Sequence, residues 1–149
     1  MSEEQNQPQQ ETLTPEQQQQ RSIQWQRSCV QAAQKHLADK GVLPQSIIEK
    51  ECRYIEPLVA LWKIKGQNGK KYWVITGNLP TDHIEGSAAA TAREALRYFS
   101  FHWQMKAEEI MSAKPVEKTQ AQFANLLVNR AHGLYDLFAK DELWANEAS

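Results

Sequence analysis

KIKGQNGKKYWVITGNLPTDHI, residues Lys63 to Ile84, is the stretch on which the fold turns. Asn68-Gly69 is the dipeptide favoured by a two-residue type I′ turn, because both central residues take φ > 0 there and these two tolerate it at least cost. With that pair at the tip, Gln67 faces Lys70, Lys65 faces Tyr72, Ile64 faces Trp73, Lys63 faces Val74 and Trp62 faces Ile75. Such a register puts Trp62, Ile64, Trp73 and Ile75 on one face, and Lys63, Lys65, Lys70, Tyr72 and Val74 on the other. Side chains alternate with period two along a strand, so a slip of one residue would destroy that partition. The expected hairpin spans residues 58–76, from about Leu58 to Lys65 and from Lys71 to Thr76.

Two strands are marginal in water, which calls for a third strand near residues 52–55 and for helices over the tryptophan face. Upstream, Thr14-Pro15-Glu16-Gln17 has the spacing of a capping box with proline at the first helical position. A helix is expected to start there, carry Ile23, Val30, Ala33 and Leu37 on its apolar stripe, and stop at Gly41. Pro44 to Ile55 reads equally as a short helix or as a strand. Downstream, Gly77 to His83 reads as a turn-rich loop, Ser87 as a helix cap, and Ala88 to about Ala113 as a helix. Its stripe is Ala92, Leu96, Phe99, Trp103 and Ile110, widened by Phe101 and Met105. After Lys114-Pro115 a last helix follows, with Phe123, Leu127, Leu134 and Phe138 inward and Leu126, Leu137 and Trp144 broadening the stripe. The expected fold class is α+β, a small antiparallel sheet packed against three helices, with the lysine face left toward water or a partner.

The chain has 149 residues, which suits one domain over residues 14–149 behind a disordered Gln/Glu-rich tail at residues 1–13. No segment reaches the roughly 18 apolar residues of a membrane span. The acidic, glutamine-rich start is unlike a signal peptide, so a cytoplasmic protein is expected, with Cys29 and Cys52 as buried thiols. Net charge is −1, and residues 21–149 carry 17 basic against 14 acidic side chains, since four of the 18 acidic residues precede them. That surplus is too small to point to nucleic acid.

Several residues invite a chemical reading. Asp82 and His83 are the candidates for acid–base work, although neighbours in an extended chain point opposite ways. Thr76, Gly77, Asn78, Thr81 and Ser87 line a strand-to-helix passage that offers free amides to an anion or ligand, without the lysine of a phosphate loop. Lys63, Lys65 and Lys70 beside Tyr72, together with Arg130 inside the stripe of the last helix, form a candidate interaction surface. His36, His83, His102 and His132 give no i,i+4 pair, so neither a metal nor another cofactor is expected; a metal site would require long-range convergence.

The tracts RYIEPLVALWKIKG, KYWVITGNLPTDHI and ATAREALRYF resemble a small bacterial domain family of unknown function with a W-V/I-x-G-x-L-P-x-D core. The resemblance runs over most of the chain after about residue 14 and carries no activity. It implies that Trp73, Gly77, Leu79, Pro80 and Asp82 act as a set that shapes the loop. The functional expectation is a non-catalytic interaction module, whether adaptor, immunity-type inhibitor or chaperone-like, binding a protein partner or a second copy of itself. It calls for an exposed apolar patch on the last helix or at Tyr72 and Val74. The alternative is a small hydrolase or ligand-binding enzyme using the loop at residues 76–87, which requires Asp82, His83 and a third polar group to converge in a pocket.

Overall fold

The computed structural model describes residues 12–145, so most of the expected tail lies outside the described residues. Helix α1 (Pro15–Asp39) leads into β1 (Pro44–Ile47), a 3-10 turn (Glu49–Glu51), β2 (Arg53–Ile55), β3 (Val59–Gly66), β4 (Lys71–Gly77) and β5 (Asp82–Glu85). A second 3-10 turn (Gly86–Ala88), helix α2 (Ala92–Ser112), helix α3 (Lys118–Phe138) and a last 3-10 turn (Asp141–Trp144) complete it. The fold is α+β: three helices and a five-stranded antiparallel sheet among the described residues. Strands run in the order β1, β3, β4, β5, and β2 pairs with the other end of the same β3 edge as β1. The ambiguous stretch from Pro44 to Ile55 is thus one edge strand broken by a 3-10 turn.

The start of α1 follows its sequence. Thr14 accepts from the Gln17 amide at 3.1 Å, and the Gln17 side chain accepts from the Thr14 amide at 3.0 Å. Lys40 caps the other end and Gly41 takes φ +88°, the left-handed geometry that glycine adopts without a Cβ penalty.

The central hairpin forms, but its register differs by one residue from the expected one. Gly69 takes φ +86° while no other residue type among those described has positive φ, so Asn68 does not adopt the type I′ geometry. The Gly69 amide donates to the Gly66 carbonyl at 3.0 Å and the Gly66 amide donates to the Lys70 carbonyl at 2.8 Å. Together these define a type I turn followed by a left-handed glycine, a three-residue loop. The Asn68 side chain reinforces it by accepting from the Lys70 amide at 3.0 Å. Lys63 therefore pairs with Trp73, Trp62 with Val74 and Ile64 with Tyr72.

That single step moves the two indoles to opposite faces, and both faces are covered. On one, Ala60, Trp62, Ile64, Tyr72 and Val74 pack under α1 against Cys29, Ala33 and Leu37. On the other, Val59, Leu61, Trp73, Ile75 and Ile84 pack under α2 and α3 against Leu96, Phe99, Trp103, Leu127 and Leu134. The result is three layers with the sheet in the middle, and no lysine face is left to water. Lys63 is buried, its ammonium 4.3 Å from the centre of the Trp73 ring and 3.2 Å from Glu51. Such a contact places the charge over the negative face of the ring and gives it a carboxylate partner.

Helix α2 begins at Ala92, not Ala88. Ala89 stays extended (φ −149°, ψ 140°) and its carbonyl accepts the Trp73 indole N–H at 2.9 Å, so tertiary packing overrides the helix preference of the alanine run. Thr91 then serves as the cap, accepting from the Glu94 amide at 3.2 Å. The other three buried indoles are also satisfied: Trp62 by Thr76, Trp103 by Asp82 and Trp144 by the Leu137 carbonyl. No helix among the described residues is long and apolar enough to cross a membrane.

Candidate functional site

The expected loop at residues 77–83 is in part a strand, β5, whose alternation decides where its side chains go. Asp82 pairs with Ile75 and His83 with Val74, so the two leave the sheet on opposite faces. Asp82 Oδ2 accepts from the Trp103 indole at 2.9 Å, and Oδ1 accepts from the His83 backbone amide at 2.8 Å. Both carboxylate oxygens thus hold structural N–H groups in place. His83 turns toward α1, where its Nδ1 meets His36 Nε2 at 2.8 Å, and its ring lies edge-on to Tyr72 with centroids 6.0 Å apart. One imidazole donates and the other accepts, so at least one is neutral.

Burial lowers the pKa of both histidines. His36 is lowered further by the His83 charge and by Lys40, with Asp82 and Asp39 opposing; His83 is raised by Asp82 and lowered by Lys40. The balance favours neutral rings. The sequence reading missed His36, which sits on the sheet-facing stripe with Cys29, Ala33 and Leu37. A polar side chain at that stripe position was the available signal.

The other loop residues do not gather in one cleft. Thr76 is buried beneath α1 and accepts from the Trp62 indole at 2.9 Å. Gly77 has φ +132°, and a Cβ there would lie 2.4 Å from the Leu58 carbonyl oxygen. Thr81 is half-buried just before β5, and Ser87 is exposed in the 3-10 turn, where it caps no helix. Asn78 goes with Arg130: the Arg130 Nε donates to the Asn78 carbonyl at 2.9 Å and Nη1 to the Asn129 side chain at 2.5 Å. Around that contact Leu58, Leu79, Leu134 and Leu137 line a cavity of 260 Å³. Arg130 therefore fastens the β4–β5 connection to α3.

The candidate lysine surface is divided by the register. Lys63 and Tyr72 are buried on opposite faces, the Tyr72 hydroxyl accepting from Asn68 at 2.9 Å. Lys65 is half-buried and Lys70 is exposed at the turn. Lys63, Lys70 and Ser87 do share an open groove with Lys71, Glu85 and Gly86.

Apolar surface is concentrated elsewhere. On the outer side of α2 and α3, Tyr98 (42%), Phe101 (45%), Met105 (63%) and Tyr135 (43%) are exposed. Tyr98, Phe101 and Met105 follow i, i+3, i+7 spacing, which lines them up along one face of α2. The Phe101 and Tyr135 rings bridge the two helices at 6.1 Å, and the Arg97 guanidinium lies 5.3 Å from the Phe101 ring. A groove of 350 Å³ runs between Glu94, Arg97, Tyr98, Phe101, His102 and Met105. Tyr72 and Val74 contribute nothing to such a patch, because α1 covers them.

These features define a three-layer α+β domain with an aromatic outer helix face and a histidine pair joining α1 to the sheet edge. The chain belongs to the family described as Domain of unknown function (DUF4826), whose model matches residues 16–144. No curated protein and no solved structure matches it.

Proposed function

We propose that this protein is a non-catalytic interaction module of the cytoplasm that binds a protein partner, or a second copy of itself, through the outer face of α2 and α3. One observation carries the reading: four large apolar side chains stand exposed beside Arg97 on a rigid helix pair whose inner faces are fully engaged. Aromatic residues, methionine and arginine are the types enriched at interface cores relative to the rest of a surface. Tyrosine and arginine also dominate the few positions that account for most binding energy. Phe101 and Met105 are 45% and 63% exposed, so covering what remains of them against a partner would remove about 1–2 kcal/mol of hydrophobic penalty for each. The unpaired thiols of Cys29 and Cys52 support the cytoplasmic setting.

The test is affinity capture from the native cell with the wild-type chain and with a Phe101→Asp/Met105→Glu variant, after circular dichroism has established that both fold alike. A partner or second copy retained by the wild type and lost by the variant is the expected result. Equal retention by both would remove this face from the account.

A further inference from the structure

We propose that His36, His83 and Asp82 form a binding site for one divalent late first-row transition metal ion, such as Cu2+, Ni2+ or Zn2+. The site does not depend on the interaction face, since His36 and His83 lie on the α1 side of the edge strand β5 and Asp82, on its other side, meets α2 only at the buried Trp103.

The geometry is that of two imidazole nitrogens aimed at each other. His36 Nε2 and His83 Nδ1 are 2.8 Å apart, and a ligand atom from each of His36, Asp82 and His83 lies within 4.8 Å of the other two. Once the two rings pivot so that their lone pairs converge on an ion beside the line between them, two metal–nitrogen bonds of about 2.0–2.1 Å spanning that chord meet at about 85°, close to the right angle between adjacent ligands of a tetragonal Cu2+ or Ni2+ ion. Tetrahedral Zn2+ needs a chord of about 3.3 Å, so it requires the rings to part by about half an ångström. Two atoms bound to one ion lie at most about 4 Å apart, so Asp82 joins after a shift of under about 1 Å, or through a water molecule.

The surroundings suit this role. Asp82 is oriented by the Trp103 indole and the His83 amide, the kind of outer hydrogen bonds that hold a ligating carboxylate in position. All three residues are half-buried, which leaves room for water to fill the remaining coordination positions. β5 ends the sheet order, so among the described residues no further strand blocks approach from that side. Asp82 and Asp39 favour a cation near the pair, and Lys40 opposes it. Binding would replace the hydrogen bond between the rings: with both imidazoles neutral, the donor ring carries its proton on its other nitrogen instead, no net proton is released, and the ion would clamp the last turn of α1 to β5. It involves no redox step.

The experiment uses the untagged full chain and the salts of Cu2+, Ni2+ and Zn2+ as probes in isothermal titration. One equivalent should bind to the wild type and to His132→Ala. In His36→Gln and in His83→Gln, which lose a direct ligand, affinity should be weaker by at least the roughly 10–100-fold that loss of a group merely orienting a ligand costs. Asp82→Asn should weaken binding by a smaller factor. Because a histidine variant can fail to fold, the wild-type Cu2+ complex is also examined by electron paramagnetic resonance, where superhyperfine splitting from two nitrogens is expected. The absence of stoichiometric binding, equal affinity in folded histidine variants, or an oxygen-only Cu2+ spectrum would each overturn the proposal.

Discussion

Gly77→Ala tests the close approach of the end of β4 to the backbone of Leu58 and Val59. Gly77 has φ +132°, a region that residues with a side chain enter at a cost of about 1–3 kcal/mol. An added methyl would also sit 2.4 Å from the Leu58 carbonyl oxygen and 2.9 Å from Val59 Cα, both backbone atoms that no rotamer change can move aside. The same Leu58 oxygen accepts from the Asn78 amide at 2.9 Å, so relief of the clash disturbs a hydrogen bond with a net value of about 1 kcal/mol. The sum is a loss of about 2–4 kcal/mol, a large share of a typical total of about 5–15 kcal/mol. At about 2–4 °C per kcal/mol for a chain of this size, the melting midpoint should fall by about 5–15 °C. Gly69→Ala is the comparison: φ is +86° but the space is open, so only a backbone cost of about 1–2 kcal/mol applies. Gly133→Ala, in the middle of α3 with nothing within 4 Å, should stabilise by about 0.5–1 kcal/mol. Thermal melts by circular dichroism rank the three variants. A Gly77→Ala protein that melts with the wild type, or one no weaker than Gly69→Ala, would refute the close-approach reasoning.

Asp82→Ala leaves the Trp103 indole N–H without its acceptor and should cost about 1–3 kcal/mol; combined with Trp103→Phe the loss should fall short of the sum, and strict additivity in urea unfolding would rule the coupling out. Lys63→Met should change stability by less than about 1 kcal/mol, since a well-packed apolar group can replace a buried ion, whereas Glu51→Ala, which strands the ammonium over Trp73, should be the more destabilising of the two. Tryptophan fluorescence against denaturant checks that order, and the reverse order contradicts it. Burial, with smaller contributions from Cys52 and Glu49, pushes the Tyr54 phenol up to about 12. The folded phenol keeps its proton where the unfolded one has lost it, so this contribution is complete below pH 10 and is lost as pH rises through about 12. Phenolate absorbance in Tyr54→Phe against wild type reads it out, and an unchanged titration near pH 12 would remove the assignment.

The sequence made the elements legible wherever local chemistry governs them. The Thr14 capping box, the Gly41 stop, the two hairpin strands and the third strand near residues 52–55 appear as expected. What it did not reveal follows from one residue of loop length. Asn-Gly suits both a two-residue turn and a three-residue loop with glycine alone in the left-handed region, and the second sends Trp62 and Trp73 to opposite faces. Lys63 misled for the same reason: on a central strand its charge is buried over an indole beside Glu51, although a lysine in sequence suggests solvent. At the candidate sites, β5 itself read as a turn-rich loop, so the opposite faces taken by Asp82 and His83 followed only from the general alternation of an extended chain, while His36 is 47 positions away from its partner, and no local pattern announces a meeting across α1 and β5. Phe101 and Met105 read as stripe residues because the spacing of α2 does not say how far α3 wraps around it.

Photocrosslinking in the native cell tests the interaction surface most directly. A photoreactive phenylalanine is placed in turn at the positions of Tyr98, Phe101, Met105 and Tyr135, with the position of Lys35 on α1 as the control. Covalent adducts to a common partner, or to a second copy of the chain, should form from the four outer positions of α2 and α3 and not from the control. Adducts confined to α1, or equal from both sides of the molecule, would contradict the assignment of that face.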